Sequence, residues 1–221
     1  MPLPHRPATA PRPRLVGALA ATIVVTLGFA ACLPTPPEGE WVTTRPGPRI
    51  ALQGDSLIDM NDEQWTEGTL AEEGSLAVWS VSGSQFHHAG SWINTVSPTP
   101  DAFVIAQGLN SISGGWDAWD EAQLDKTIAY ARYAGTAPRI PCIVLVTMGH
   151  GPLATPWWAG EAREGSFHLR NKAASSPVYR LAEWRNQALA HPEWYLADQV
   201  HLTSTGSKAY EKVITDAVHR C

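Results

Sequence analysis

The chain contains 221 residues, 44% of them hydrophobic and 17% charged, which is typical of a globular protein and excludes a largely disordered one. Its formal net charge is -5, and the basic residues Arg6, Arg12 and Arg14 precede the first acidic residue. The rest of the chain holds 13 basic against 21 acidic residues. Because nucleic-acid binders neutralise phosphates with Lys and Arg, this balance disfavours a nucleic-acid partner.

The N-terminal segment has the pattern of an export signal. After the three arginines, residues 15–31 are uncharged and mostly apolar, close to a secretory core and short for a spanning helix. The stretch from Phe29 to Cys32 resembles a bacterial lipobox, in which the cysteine becomes lipidated and is the first mature residue. We predict a signal peptide over 1–31, lipidation of Cys32 and an anchor on the outer side of the cell membrane. Plain secretion and an uncleaved anchor are the alternatives.

A proline-rich stretch, residues 32–48, is predicted to be an extended linker. Residues 49–221 are long enough for one domain with its own core. Four continuous apolar runs predict strands covered on both faces, at residues 49–53, 76–80, 102–106 and 143–146.

Helical patterns lie between and after these runs. Residues 56–73 are predicted to be mostly helical, and the spacing of Val178, Leu181 and Ala188 predicts another helix. Residues 209–218 carry the apolar stripe of a final amphipathic helix. Alternating strands and helices predict an α/β fold with a parallel sheet, whose chemistry gathers beyond the carboxyl ends of the strands.

Gly54-Asp55-Ser56-Leu57 directly follows the first run. A serine at a strand-to-helix turn is exposed at the sheet edge, near helix amides that favour developing negative charge. Gly54 permits tight backbone geometry there. A plain turn with Asp55 or Ser56 as the helix N-cap fits the same residues.

Asp198-Gln199-Val200-His201 precedes the final helix. A histidine can take the proton of a serine near neutral pH, and an aspartate three residues earlier can hold its tautomer and orientation. A surface loop with Thr203 or Ser204 capping the helix is the alternative.

Two further motifs follow the predicted strands. In Gly108-Leu109-Asn110-Ser111 the Asn110 amide could donate to an oxyanion, and in Ser82-Gly83-Ser84 the Gly83 N–H could do the same. Taken alone, each is a common turn sequence.

Together and in this order the four motifs resemble the SGNH/GDSL hydrolases, a family of esterases and lipases. Its signature is a Gly-Asp-Ser-Leu block, a glycine block, a Gly-x-Asn block and a terminal Asp-x-x-His block. Gly83 matches the glycine block, with Gly90 as a rival, and the likeness extends from about Ile50 to the C-terminus.

The resemblance implies a three-layer α/β/α, flavodoxin-like fold with about five parallel strands. It implies Ser56 as nucleophile, His201 as base and Asp198 as its orienting partner. The oxyanion hole would consist of the Ser56 and Gly83 N–H groups and the Asn110 side chain. It implies no cofactor and no catalytic metal.

Several residues near these motifs are candidates for substrate binding, whereas core or loop packing explains the same residues equally well. They are Asp55, Trp116, Trp119, Trp157, Trp158 and His150. With Cys32 lipidated, Cys142 and Cys221 would remain as a pair, predicted to form a disulfide outside the cytoplasm. Two unpaired thiols are the alternative.

Three functions follow from these patterns. The first is an exported esterase, with acetyl groups on polysaccharides as one candidate substrate. The second is a cell-envelope O-acyltransferase, because Asp198 to Thr203 resembles the C-terminal domains of some cell-wall O-acetyltransferases. The third is a non-catalytic carbohydrate-binding module on the same fold.

Overall fold

A computed structural model describes residues 40–89, 91–133, 140–152 and 154–221. The predicted signal peptide, Cys32, the rest of the predicted linker up to residue 39, and Gly90 lie outside the described residues. Within the described ranges, no helix has both the length and the apolar character that crossing a membrane requires.

In the part of the chain that the structure describes, six strands form one sheet, with helices around it. The strands are β1 (Trp41–Thr43), β2 (Arg49–Gly54), β3 (Ser75–Ser80), β4 (Ala102–Ala106), β5 (Cys142–Val146) and β6 (Tyr179–Ala182). The α-helices are α1 (Ser56–Asp59), α2 (Asp62–Glu67), α3 (Thr69–Glu73), α4 (Phe86–Ala89), α5 (Ala118–Tyr133), α6 (Pro156–Ala174), α7 (Trp184–Ala190) and α8 (Ser204–Val218). Short 3-10 turns cover Trp92–Asn94, Ser111–Gly114 and Pro192–Trp194.

The strand order is β1-β3-β2-β4-β5-β6, with β1 antiparallel and the other five strands parallel. The connection from β2 to β3 moves toward one edge of the sheet, whereas the connections from β3 to β4, β5 and β6 move toward the other edge. Because such connections are right-handed, the helices of the first connection lie on the opposite face of the sheet from the helices of the others. In agreement, α8 packs on α2 and α3, whereas α5 packs on α4. The predicted flavodoxin-like α/β fold with about five parallel strands is confirmed.

The central strands explain why the sheet forms where the apolar runs lie. Every residue of β4 and β5 is buried, and so is β2 from Ile50 onward. Strands covered by helices on both faces need continuous apolar sequence, which is the pattern of these runs.

Two expectations were wrong in detail. The spacing around Val178 predicts a helix, but residues 179–182 form β6, and the helix begins only at Trp184. A four-residue edge strand is too short to show its own periodicity, so its apolar residues were read together with those of the following helix. The sheet also begins earlier than predicted, because β1 lies inside the predicted linker over 32–48.

A disulfide joins Cys142, at the start of β5, to Cys221 after α8. The bond closes a loop across a sequence separation of 79 residues, so it removes much of the freedom of the unfolded chain. We expect Cys221→Ser to lower the free energy of unfolding by about 2–4 kcal/mol in urea titrations. Reducing agent should then destabilise the wild-type protein and leave the variant unchanged. Equal stability of the two oxidised proteins would contradict this role.

Candidate active site

Ser56 is the first residue of α1 and directly follows the turn at the end of β2. The turn requires a glycine because a Cβ built on Gly54 would lie 2.0 Å from Cγ1 of Ile58. The short helix α1 is thereby packed closely against the end of the strand. Ser56 is thus held at the carboxyl edge of the sheet, where the sequence predicts the chemistry.

His201 and Asp198 meet Ser56 from the loop before α8. The Nε2 atom of His201 lies 3.1 Å from Oγ of Ser56, and its Nδ1 lies 2.7 Å from Oδ2 of Asp198. This geometry allows the imidazole to take the hydroxyl proton while the carboxylate fixes its tautomer. The structure therefore brings together three predicted residues, two of them more than 140 positions from the first.

Asp198 is ionised and held by its own loop. Desolvation works to raise its pKa, but hydrogen bonds from the His201 ring and from the backbone N–H groups of Val200 and His201 outweigh it, and the pKa is lowered to about 2. Both N–H groups donate to Oδ1 at 2.9 Å. Gln199 between them has a φ of 62°, a left-handed conformation that non-glycine residues rarely adopt.

Asp55 does not bind substrate as the sequence suggested, because its side chain is only 1% exposed. Its Oδ1 accepts the Leu57 N–H at 3.1 Å, and its carboxylate also accepts from the backbone N–H groups of Gly108 and Leu109. Burial raises its pKa to about 6, although these hydrogen bonds oppose the rise. Asp55 therefore ties the Ser56 turn to the loop that carries Asn110.

The raised pKa predicts a pH-dependent stability. Between about pH 4 and pH 6 the folded protein holds a proton on Asp55 that the unfolded chain has already lost. The contribution of Asp55 to the unfolding free energy should therefore fall as the pH rises through this window, by about 3 kcal/mol. The difference in unfolding free energy between wild type and Asp55→Asn should change by that amount across the window. Parallel curves from urea titrations at a series of pH values would contradict the assignment.

The two predicted oxyanion loops lie at the same edge of the sheet. Gly83 has a φ of 79° in an exposed turn, a conformation that favours glycine. Asp59 fixes this turn by accepting from the N–H and the hydroxyl of Ser82, at 3.0 and 2.6 Å. Asn110 is half-buried and begins the 3-10 turn Ser111–Gly114.

A buried polar network that the sequence analysis missed connects these loops. The Gln53 amide donates to Oε1 of Gln107 at 2.6 Å, and the Gln107 amide donates to Oγ of Ser84 at 2.7 Å and to the Gln85 carbonyl at 2.9 Å. The Gln85 amide donates to the Asn110 carbonyl at 3.1 Å. The sequence signal for this network was the position of Gln53 and Gln107 at the ends of apolar runs. A buried amide costs free energy unless it is hydrogen-bonded, so polar residues at such positions indicate a buried network.

The remaining substrate-binding candidates separate by burial. His150 is buried, and its Nδ1–H donates to the Gly151 carbonyl at 2.7 Å, so it supports a loop rather than lining an open pocket. Burial lowers its pKa. Trp116 and Trp158 pack against the core, with Trp116 edge-on to Phe86 at 6.2 Å. Of the six candidates, only Trp119 and Trp157 are exposed.

A polar cleft with a volume of about 480 Å³ opens one helical turn from Ser56, between α2 and the start of α8. It is lined by Met60, Asn61, Gln64, Glu67, Gly68, Ser204, Ser207 and Lys208. Neither Ser56 nor His201 lines this cleft.

No family model matches the sequence, and comparison with curated proteins finds no match. Solved structures do match. The chain is similar to the C-terminal catalytic domain of peptidoglycan O-acetyltransferase A from Streptococcus pneumoniae, with a TM-score of 0.62 and 21% identity over 78% of this chain and 93% of that one.

Two further structures show the same likeness. One is a member of the lipolytic G-D-S-L family from Veillonella parvula, with a TM-score of 0.61 and 17% identity over 78% of this chain and 99% of that one. The other is a variant of Axe2, an acetyl xylan esterase from Geobacillus stearothermophilus, with a TM-score of 0.57 and 16% identity over 81% of this chain and 95% of that one. The chain therefore has the fold of the SGNH/GDSL hydrolases, which the four sequence motifs predict.

Proposed function

We propose that the protein is an SGNH/GDSL-type serine esterase that acts outside the cytoplasm and cleaves carboxylic esters through an acyl-enzyme on Ser56. The observation that carries the proposal is the hydrogen-bonded chain from Asp198 through His201 to Ser56, with contacts of 2.7 and 3.1 Å. It lies at the carboxyl edge of a parallel sheet, where this class of fold binds ligands.

Each residue then has a defined role in the reaction. Ser56 attacks the ester carbonyl while His201 takes its proton, and Asp198 stabilises the imidazolium that forms. The N–H groups of Ser56 and Gly83 and the Asn110 amide hold the oxyanion. His201 returns the proton to the leaving alcohol, and water then releases the acyl group by the same steps. This chemistry requires neither a metal nor a cofactor.

Two features support an extracytoplasmic location. Disulfides persist in oxidising compartments, and Cys142 and Cys221 form one here. The sequence of the N-terminal segment is that of an export signal ending in a lipobox-like stretch. We propose that Cys32 is lipidated and that residues 33–39 help to hold the domain off the membrane.

The substrates we propose are esters of short acyl groups, with acetylated polysaccharides foremost. Two of the similar proteins are named for acetyl groups on polysaccharides, an acetyl xylan esterase and a peptidoglycan O-acetyltransferase. Acyl transfer is a second candidate because one of the similar structures is the catalytic domain of a peptidoglycan O-acetyltransferase.

Hydrolysis of p-nitrophenyl esters from acetyl to palmitoyl by the purified full chain tests the proposal. We expect the acetyl ester to be the best substrate. If water is the acceptor of the acyl group, adding saccharide should leave the turnover of the acetyl ester unchanged. Acetylated saccharide detected by mass spectrometry would favour acyl transfer, and no release of p-nitrophenol from any ester would favour a binding module instead.

A further inference from the structure

The tryptophans divide sharply by exposure. The chain has ten, and the indoles of only two are exposed, Trp119 at 49% and Trp157 at 46%. The other eight are buried or half-buried. Large apolar side chains that remain exposed together often mark a binding surface.

The two exposed indoles lie at opposite ends of one short segment, Gly115–Trp119. Trp157, in the first turn of α6, lies over one end, since a Cβ built on Gly115 would be 4.0 Å from its Cζ2. At the other end, Trp119 lies edge-on to His87, with ring centroids 4.9 Å apart. The Trp116 N–H fixes the segment to α6 by donating to Oε2 of Glu161 at 2.7 Å.

This segment leads directly from the active-site edge. It follows Asn110 through the 3-10 turn Ser111–Gly114, and at a rise of about 2 Å per residue Gly115 lies roughly 10 Å from Asn110. The segment itself spans at most about 14 Å between Gly115 and Trp119. The two indoles are therefore placed to contact a substrate that extends beyond the ester.

The surroundings define the chemistry of that substrate. The carboxylates of Asp117 and Glu161 lie on or against the same segment, which disfavours an anionic polymer. An acyl chain would need an enclosed apolar groove, whereas these indoles lie apart on an open surface with acidic side chains between them. A pyranose ring offers both an apolar C–H face for an indole and hydroxyl groups for water and carboxylates.

We propose that Trp119 and Trp157 form a platform that binds a neutral glycan chain whose acyl ester is cleaved at Ser56. The inference rests on the proposed esterase function and specifies its substrate as polymeric. The platform binds sugar residues next to the esterified one, so it contributes to binding and not to the chemical step.

Kinetics on two substrates test the platform. In Trp157→Ala and Trp119→Ala, kcat/KM on acetylated xylo-oligosaccharide should fall about tenfold for each ring, mainly through KM. Turnover of p-nitrophenyl acetate should be unchanged, because that ester does not reach the platform. Phe167→Ala is the matched control, an aromatic that is 62% exposed on α6, about 15 Å beyond Trp157. Unchanged kinetics on the oligosaccharide, or equal losses on both substrates, would overturn the proposal.

A binding measurement separates this proposal from the esterase function. In a Ser56→Ala background, native gels containing acetylated xylan or acetylated chitooligosaccharide should retard the protein. Adding Trp157→Ala and Trp119→Ala should abolish the retardation, and adding Phe167→Ala should not. Retardation that survives loss of both indoles, or no retardation in either gel, would overturn the platform. Failure of wild type to hydrolyse any ester would instead overturn the proposed function.

Discussion

Replacing Ser56 with alanine is expected to lower kcat for ester hydrolysis by about five orders of magnitude and to leave the fold intact. The Ser56 hydroxyl donates to Nε2 of His201 at 3.1 Å, and without this hydroxyl no acyl-enzyme can form. The loss should appear in kcat rather than in KM, because the oxyanion loops and the binding surface remain. Residual turnover would come from those loops alone.

Ser91→Ala is the matched control for this variant. Ser91 is exposed and lies at the start of the 3-10 turn Trp92–Asn94, and its side chain does not cap that turn. We expect wild-type p-nitrophenyl acetate kinetics from Ser91→Ala, and circular dichroism should show folded protein for both variants. Turnover by Ser56→Ala within tenfold of wild type would exclude Ser56 as the nucleophile.

Asp198→Asn is expected to lower kcat by about three to four orders of magnitude. The Asp198 carboxylate, with its pKa lowered to about 2, is charged at neutral pH, and in the proposed mechanism it stabilises the imidazolium that forms on His201. Asparagine keeps the size but removes the charge, and its amide can donate to Nδ1 and so favour the wrong tautomer. The serine would then face an imidazole nitrogen that already carries a proton.

A second acid–imidazole pair in the same region serves as the control. His191 Nδ1 lies 2.8 Å from Oε1 of Glu193, a contact similar to that between His201 and Asp198. The ring nearest to the His191 imidazole is the indole of Trp194, stacked on it with ring centroids 3.9 Å apart. Glu193→Gln should therefore retain near wild-type kcat. If Asp198→Asn behaved like this control in steady-state assays, the orienting role of Asp198 would be wrong.

The meeting of Ser56, Asp198 and His201 could be predicted because each residue follows a local rule. Ser56 directly follows a continuous apolar run, and Asp198 and His201 precede an amphipathic helix within four positions of one another. The carboxyl ends of the parallel strands lie at one edge of the sheet, which accounts for the position of Ser56, whereas His201 reaches it from the loop before α8.

What could not be predicted depends on burial, which a single sequence does not show. Asp55 belongs to the same motif as Ser56 yet lies beneath it, tied to the backbone of Gly108 and Leu109. Trp116 and Trp157 looked equivalent in the sequence, but one packs on Phe86 and the other is exposed. In both cases the outcome depends on neighbours that are distant along the chain.

The most direct test of Ser56 as a nucleophile activated by His201 is labelling with a fluorophosphonate, which reacts with an activated serine. Peptide mass spectrometry of the labelled wild-type protein should place the single adduct on Ser56, and His201→Ala should react far more slowly because the hydroxyl has lost its base. Fast labelling of Ser56 that does not require His201 would remove the base from the mechanism. An adduct on a different serine, or none in a preparation that hydrolyses esters, would contradict the account.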